Sequence, residues 1–287
     1  MPGTGDNRKQ AEIDYPAAIG EAGRAWLRSK PFANTPRESA RLLIDFGYVL
    51  QLLDLRPGMS LCELGCGPGW MTRFAARHGV QAEGYDISPD MIAIARELAA
   101  EEGLDVHFEA ADMEELDLGR RFDAGLLYDA LHHSPRADLV LATAHRALKP
   151  GGRLLLAEPN WKHRFQGRDA AGEYGVTEIG YTPRRLKRLL REAGFTDVRR
   201  FHNTRKRLYS NSARDLAQHL AEPLVYRSLG PSAPLSLTRA ATRPAGGAPA
   251  REFRAGRARP RGVAARPRPC RCGRSLRTRP TRTRRSS

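Results

Sequence analysis

Three glycines at alternate positions, Gly65, Gly67 and Gly69, close the stretch LCELGCGPGW, in which an apolar run carries a single acid, Glu63. Without a Cβ, such residues let backbone N–H groups come close to a bound ligand. A nicotinamide-binding turn spaces its glycines as G-x-G-x-x-G; here the third glycine comes one residue early and Trp70 fills the usual position. Glu63 would also set a second anion beside a pyrophosphate in a partly dry cleft, whereas it suits a cationic ligand. The turn therefore reads as a seat for a ligand with a positive end. Asp86 and Asp112 add two more acids. The first can accept both hydroxyls of a ribose, and the second lies in reach of an exocyclic amine. Ile87 and Met113, each directly after its acid, can sandwich a flat ring. Further along, LYDALHHSP gathers Tyr128, Asp129, His132 and His133, where an imidazole could take a proton from an acceptor hydroxyl.

These residues recur at the ends of predicted strands. SLCELGC, VQAEGYDI, DVHFEAAD, FDAGLLYDAL and RLLLAEP read as strands, and WMTRFAARHG, PDMIAIARELAAEEG and RADLVLATAHRAL as the helices between them. Such alternation means parallel strands joined by crossover helices, hence an α/β fold with a doubly wound, mainly parallel sheet. Before it, Thr35, Pro36 and Glu38 form a capping box that opens a helix with Leu42, Leu43, Phe46, Val49, Leu50 and Leu53 at helical spacing. Residues 1–34 are a mixed N-terminal extension able to make an opening helix or a lid. Residues 160–181 form a polar insertion, TPRRLKRLLREAGF a capped helix, TDVRRFHNT a strand and SARDLAQHLAEPL a helix. The α/β domain is expected over residues 35–230 and a tail over 231–287.

Composition bears on partners. The formal charge is +16, but 16 Arg, no Lys and one Glu lie between Arg239 and Ser287, so about one net positive charge is left for the rest. That argues against a nucleic-acid partner except through the tail. Cys62, Cys66, Cys270 and Cys272 form no disulfide framework, which suits a reducing compartment. The start has no apolar signal region, and no run reaches the ~20 apolar residues of a membrane span. The expectation is a cytoplasmic protein.

In combination the series resembles the class I S-adenosylmethionine-dependent methyltransferases, over about Ser60 to Phe195. ELGCGPG is similar to their glycine motif, GYDIS to their ribose-binding acid, AADME to their adenine motif, FDAGLLYDALHH to their fourth-strand motif and LKPGGRLLLAEP to their fifth strand. The resemblance implies a Rossmann-like methyltransferase fold and S-adenosyl-L-methionine as cofactor, with no metal. It also implies cofactor contacts from Glu63, Gly65, Gly67, Gly69, Asp86, Ile87, Asp112, Met113 and Tyr128. Glu63 would serve the methionine ammonium through water, Asp86 the ribose hydroxyls and Asp112 the adenine amino group.

Methyl transfer from a sulfonium needs an aligned nucleophile more than a reactive side chain, but a hydroxyl acceptor must also lose its proton. His132 and His133 are the candidates for that base, with His132 preferred; either could instead cap the next helix or bond to backbone. Glu158 and Asn160, ending the fifth strand, are expected in the acceptor pocket, whereas His163 and Tyr174 in the insertion read first as surface residues. Nucleic-acid amino-methyltransferases carry Asn/Asp-Pro-Pro-aromatic after the fourth strand where this chain has LYDA, and the Pro-Cys of cytosine carbon-5 enzymes is missing there. The acceptor is therefore expected to be a small molecule, methylated at oxygen. The alternatives are a nicotinamide-dependent oxidoreductase, or a module that binds adenosylmethionine without turnover.

The tail has almost no acids and no apolar periodicity, so disorder is expected from about Ala240. With 42 Arg against 6 Lys in the chain, it also reads as GC-rich DNA translated out of frame. On that reading the last strand of the sheet is lost and an unpaired edge remains.

Overall fold

The computed structural model describes residues 5–32, 35–159, 168–201 and 236–245. Two helices, α1 (Gly5–Ala18) and α2 (Gly20–Ser29), lead into α3 (Pro36–Leu53). The Thr35 hydroxyl accepts the Glu38 N–H at 3.2 Å and Pro36 occupies the first helical position, as the sequence expects of this start. Leu42, Phe46, Val49 and Leu53 then fall on one buried face, and Asp54 ends the helix in the left-handed region with φ 54°.

Strand and helix alternate from there: β1 (Ser60–Leu64), α4 (Trp70–Arg77), β2 (Gln81–Asp86), α5 (Pro89–Glu101), β3 (His107–Ala110) and β4 (Phe122–Tyr128). A 3-10 turn over Leu131–His133 precedes α6 (Ala137–Ala147) and β5 (Leu148–Glu158). Next come α7 (Arg168–Tyr174), α8 (Pro183–Glu192), β6 (Thr196–Phe201) and β7 (Ser236–Ala241). The seven strands lie in the order β3-β2-β1-β4-β5-β7-β6, parallel from β3 to β5 and antiparallel at β7. Reversal of strand order on either side of β1 opens a crevice above the carboxyl ends of β1 and β4, the place where doubly wound sheets bind ligands.

The period of two along each strand divides the core into two layers. Cys62, Leu64, Leu154 and Leu156 face Val140 and Leu141 of α6 and Leu186 and Leu190 of α8. Leu61, Leu126, Leu155 and Ala157 face Phe46 and Val49 of α3 and Trp70 and Met71 of α4. Phe108 of β3 packs with Ile92, Ala95 and Ala99 of α5.

One expectation is overturned. The sheet has its last strand, in a place the sequence reading gave to the tail. Residues 236–241 pair with β5 from Arg153↔Ala241 to Glu158↔Ser236, and with β6 from Thr196↔Ala241 to Phe201↔Leu237. β7 therefore lies between two strands, and β6 is paired along it. The stretch SLTRAA looks unlike a core strand because of Arg239. That side chain lies along the sheet, its guanidinium donating to Leu52 O at 3.4 Å and standing 3.9 Å from Asp197, while Leu237 and Ala240 are buried. Residues 236–241, which the sequence reading gave to the tail, are thus part of the sheet, Ala240 is buried where disorder was expected to begin, and the frame-shift reading loses its structural premise. The remainder of the tail, the helix expected at SARDLAQHLAEPL, Asn160 and His163 lie outside the described residues.

Candidate functional site

A cavity of about 360 Å³ opens above the ends of β1, β2, β3 and β4. Of the residues singled out from the sequence, Gly65, Gly67, Asp86, Ile87, Asp112, Met113, Tyr128, His132 and His133 line it together. Glu63 and Gly69 do not.

The glycine turn is held from below and open above. Gly65 has φ 71°, and a Cβ there would stand 2.6 Å from the Ala130 Cβ, so only glycine fits beneath the loop after β4. Gly67 has φ 52° and nothing within 4 Å of where a Cβ would point, which leaves its backbone approachable from the cavity. Gly69 begins α4. Asp86 anchors this turn: its Oδ2 accepts the Gly67 N–H at 2.8 Å and its Oδ1 the Ser88 N–H at 2.9 Å. Each carboxylate oxygen keeps a second lone pair for a hydroxyl. Burial pushes the Asp86 pKa up, and the two N–H groups oppose that shift.

Glu63 lies behind the wall. It is 2% exposed, and Thr72 of α4 donates its hydroxyl to it. Burial pushes its pKa up to about 8, against the hydrogen bonds from Thr72. This acid ties β1 to α4, and the structure does not bring it to the cavity.

Asp112 accepts the Glu114 N–H at 2.8 Å on Oδ1 and the Lys9 ammonium at 2.5 Å on Oδ2. Lys9 also reaches Glu114 at 2.7 Å. An N-terminal helix thus crosses the crevice at Asp112. The Ser88 hydroxyl, which does not cap α5, donates to Ile13 O of the same helix at 2.9 Å.

At the other end the histidines differ. His132 is 2% exposed and its Nδ1 bonds to Glu158 Oε2 at 2.9 Å, while Nε2 stands 3.8 Å from Glu178. Glu158 also accepts the N–H groups of Ala130 at 3.2 Å, Leu131 at 2.8 Å and His132 at 3.3 Å. Burial pushes its pKa up to about 7, against those three donors and the nearby His133. Glu158 is thus not on the pocket wall, where the sequence placed it, but behind His132 as its orienting partner. His133 stacks on His132 with ring centroids 4.0 Å apart. Its Nδ1 lies 3.0 Å from Thr177 O and 3.4 Å from Glu12. Burial disfavours its charge, but Glu12, with Glu178 and Asp129, more than offsets this and raises the pKa to about 9. His132, His133 and Glu178 each bring one donor atom within 4.8 Å of the others, close enough to share a metal ion.

Sequence reading missed the contributors from the N-terminal extension: Lys9, Glu12, Tyr15, Trp26 and Lys30 all line the cavity, as does Glu178 beyond the insertion. The spacing of Lys9 and Glu12, three apart, was the available signal that one helix face is polar and specific. Tyr128 has its ring at the cavity and its hydroxyl turned away, donating to Asp45 at 2.7 Å. Tyr174 meets Tyr15 edge-on at 5.6 Å.

The fold and this crevice define an α/β protein built to hold an adenosine-like ligand beside a buried histidine. The methyltransferase domain family matches residues 61–152. Ubiquinone biosynthesis O-methyltransferase of Xanthomonas oryzae pv. oryzae is 31% identical over 164 residues, which are 56% of this chain and 65% of that protein, so the match spans less than two thirds of the relative's length. Phosphoethanolamine N-methyltransferase 2 of Haemonchus contortus, solved with S-adenosyl-L-methionine, superposes with a TM-score of 0.58 at 19% identity over 82% of this chain and 60% of that one. A putative sarcosine dimethylglycine methyltransferase of Galdieria sulphuraria does so with a TM-score of 0.58 at 17% identity, over 79% and 98%. Over residues 61–152 the chain thus matches a methyltransferase domain, in a fold it shares with solved S-adenosylmethionine-binding methyltransferases.

The residues present fit that cofactor. Gly67 offers a turn that no side chain covers, Asp86 a carboxylate held by two backbone N–H groups with lone pairs left for a diol, and Ile87 and Met113 apolar side chains lining the same cavity. Among the described residues no helix is long and apolar enough to cross a membrane.

Proposed function

We propose that this chain transfers a methyl group from S-adenosyl-L-methionine to an oxygen of a small molecule, with His132 removing the acceptor's proton. When bound, the cofactor supplies an electrophilic methyl on a sulfonium. The protein's part is to align the acceptor oxygen with that methyl and to take up the proton released as the oxygen–carbon bond forms. The pair His132–Glu158 carries this reading: Nδ1 is committed to a buried carboxylate, so Nε2 is the nitrogen turned toward the cavity. Glu158 in turn is fixed by three backbone N–H groups, which hold the ring in one orientation. Gly65, Gly67, Asp86, Ile87, Asp112, Met113 and Tyr128 form the cofactor wall on this reading, with Glu63 and Gly69 supporting it from behind.

Kinship with an O-methyltransferase of ubiquinone biosynthesis supports an oxygen acceptor. The buried free thiols of Cys62 and Cys66 support work in a reducing, cytoplasmic setting. Calorimetry with adenosylmethionine and adenosylhomocysteine tests the cofactor, and no heat with either ends the claim. Labelled cofactor offered with a panel of hydroxylated metabolites separates turnover from silent binding. Binding of NAD in place of the sulfonium would instead revive the oxidoreductase.

A further inference from the structure

One helix carries a charge pattern that its own stability does not explain. In α8, Leu186 and Leu190 are buried in the layer they share with Val140 and Leu141 of α6. On the opposite side Arg184, Lys187, Arg188 and Arg191 form one exposed stripe at spacings of three and four residues. Like charges at such spacings repel. Arg184 and Arg185 stand in the first turn, which has no acid, so the helix dipole opposes them as well. The Thr182 hydroxyl, which accepts the Arg185 N–H at 3.2 Å, and the two buried leucines hold the helix in spite of this. Arg185 lies over the Tyr181 ring at 5.2 Å, and Glu192 stands 3.6 Å from Arg188. Among the described residues no carboxylate lies within ion-pair distance of Arg184, Lys187 or Arg191.

The basic charge is local. Outside α8 and the stretch from Arg239 onward, acids slightly outnumber Lys and Arg. These two basic stretches also meet at one corner. β7 ends at Ala241 opposite Thr196, just beyond α8, and Thr196 Oγ1 donates to Ala241 O at 3.1 Å. The described chain stops at residue 245, and residues 246–287 carry 14 Arg and one acid. That run is therefore tethered by the chain itself beside the end of α8. A partner that takes up both stretches has to be anionic and larger than a metabolite. Because α8 lies in one layer with α6, its stripe can rest on a surface but cannot enter a nucleic-acid groove. The stripe has no aromatic residue on which single-stranded bases would stack. Its leucines are turned into the core, so it would touch headgroups without entering acyl chains. A flat anionic surface meets all of these conditions.

We propose that the exposed stripe of α8, with the basic segment that leaves the sheet beside it, adsorbs this protein to an anionic lipid bilayer. Binding is electrostatic, through guanidinium and ammonium donors on lipid phosphates, and is reversed by salt. Ala241 pairs with Arg153, which pairs with Ala124 near the start of β4, so this corner lies at the end of the sheet away from the crevice. A surface engaged there leaves the crevice mouth free.

Sedimentation of the full chain with vesicles tests this. At about 0.1 M NaCl the protein should pellet with phosphatidylcholine vesicles containing about 30% phosphatidylglycerol and stay in solution with phosphatidylcholine alone, and about 0.5 M NaCl should release it. Arg184→Gln, Lys187→Gln and Arg191→Gln together should weaken vesicle binding by about 100-fold, at roughly fivefold for each cation. Arg8→Gln, Arg37→Gln and Arg56→Gln together remove the same charge elsewhere and should change it by less than about threefold. Because the stripe repels itself, the α8 variant should melt no lower than wild type. If it does not fold, Lys187→Gln and Arg191→Gln replace it singly, each expected to weaken binding about fivefold. Wild type that stays in solution with the anionic vesicles overturns the proposal, as does an equal loss in the two triple variants. An α8 variant that binds as wild type does overturns it too, since the tail alone would then be responsible. Tighter binding to an RNA of about 30 nucleotides than to the vesicles, lost in the α8 variant, would assign the stripe to nucleic acid and overturn the proposal.

Discussion

The two ends of the crevice are built differently. The nucleoside end comes from consecutive strand–turn–helix units: the turn after β1, Asp86 closing β2 and Asp112 just past β3. Its acids are fixed largely within these units, by Gly67 and Ser88 on Asp86 and by Glu114 on Asp112, with Lys9 the one distant partner named for them. The acceptor end draws together α1, the turn after β4, the end of β5 and residues 176–178. Its contacts span long stretches of chain, as between Glu12 and Thr177 at 2.8 Å. Local construction repeats the same geometry wherever the motif occurs. The long-range end depends on which segments happen to meet, and it can change its acceptor while the cofactor half stays as it is.

The largest effect expected of a single change lies at the acceptor end. His132→Ala removes the proposed base while Glu158 keeps its three backbone donors. Turnover should fall by roughly 100- to 10,000-fold with adenosylhomocysteine affinity unchanged. Kinetics with an identified acceptor, beside calorimetry, checks this. Unchanged turnover moves the role to His133 or removes a base from the mechanism.

Gly65→Ala breaks the separation between the ends. Its Cβ would meet Ala130 at 2.6 Å, just before the histidines, from a backbone at φ 71°. Left-handed strain costs about 1–2 kcal/mol and the overlap roughly 1–3 kcal/mol more. Denaturant unfolding should show that loss, and both cofactor affinity and turnover should fall. A variant as stable as wild type would mean that the loop after β4 is free to shift, and that the ends are less tightly joined than the contact implies.

Asp86→Ala is the counterpart of the histidine change. Binding of adenosylhomocysteine should weaken by about 1.5–3 kcal/mol for each hydroxyl bond lost to the carboxylate. The rate at saturating cofactor should hold. A variant that loses rate but not affinity would invert the assignment of the two ends.

How much of this was legible in the sequence follows the same division. The glycines, Asp86 and Asp112 could be placed because each closes a strand whose apolar alternation is plain, and because the order of such units is fixed by right-handed crossovers. The pairing of His132 with Glu158 was half legible: Glu158 ends β5 and His132 lies in the turn after the neighbouring parallel β4, but which of them faces the cavity depends on side-chain direction. Lys9 and Glu12 lie in α1 and Lys30 just past α2, helices whose register to the sheet no local pattern sets. β7 was missed for a related reason. A strand held between two others needs no strong propensity of its own, because the ladders on both sides satisfy its backbone. Glu63 shows the opposite limit: a motif position that reads as a ligand contact through water is also buried against Thr72, which the sequence did not signal.

The smallest effect concerns how α1 is fastened over the long-range end. Besides the Ser88 hydroxyl on Ile13 O, two charged side chains fasten it, Lys9 to Asp112 and Glu114, and Glu12 to Thr177 N and His133. The carboxylates hold the Lys9 ammonium above the usual lysine range, against the effect of burial, so that attachment stays charged through the alkaline range. His133 behaves otherwise. Its folded pKa of about 9 stands above the ordinary value of 6.5, with Glu12, Glu178 and Asp129 favouring the charged ring. A raised pKa on a base contributes stability that is fully present below about 6.5 and lost as pH rises through about 9. The Glu12 attachment should therefore weaken across that window while the Lys9 attachment persists. Hydrogen exchange over Gly5–Ala18, corrected for the intrinsic pH dependence of exchange, should show more opening at pH 10 than at pH 7. Glu12→Gln should abolish most of that difference by removing the principal partner of the charged ring. If the helix instead opens equally at both pH values, His133 does not fasten it, and α1 is held at the nucleoside end alone.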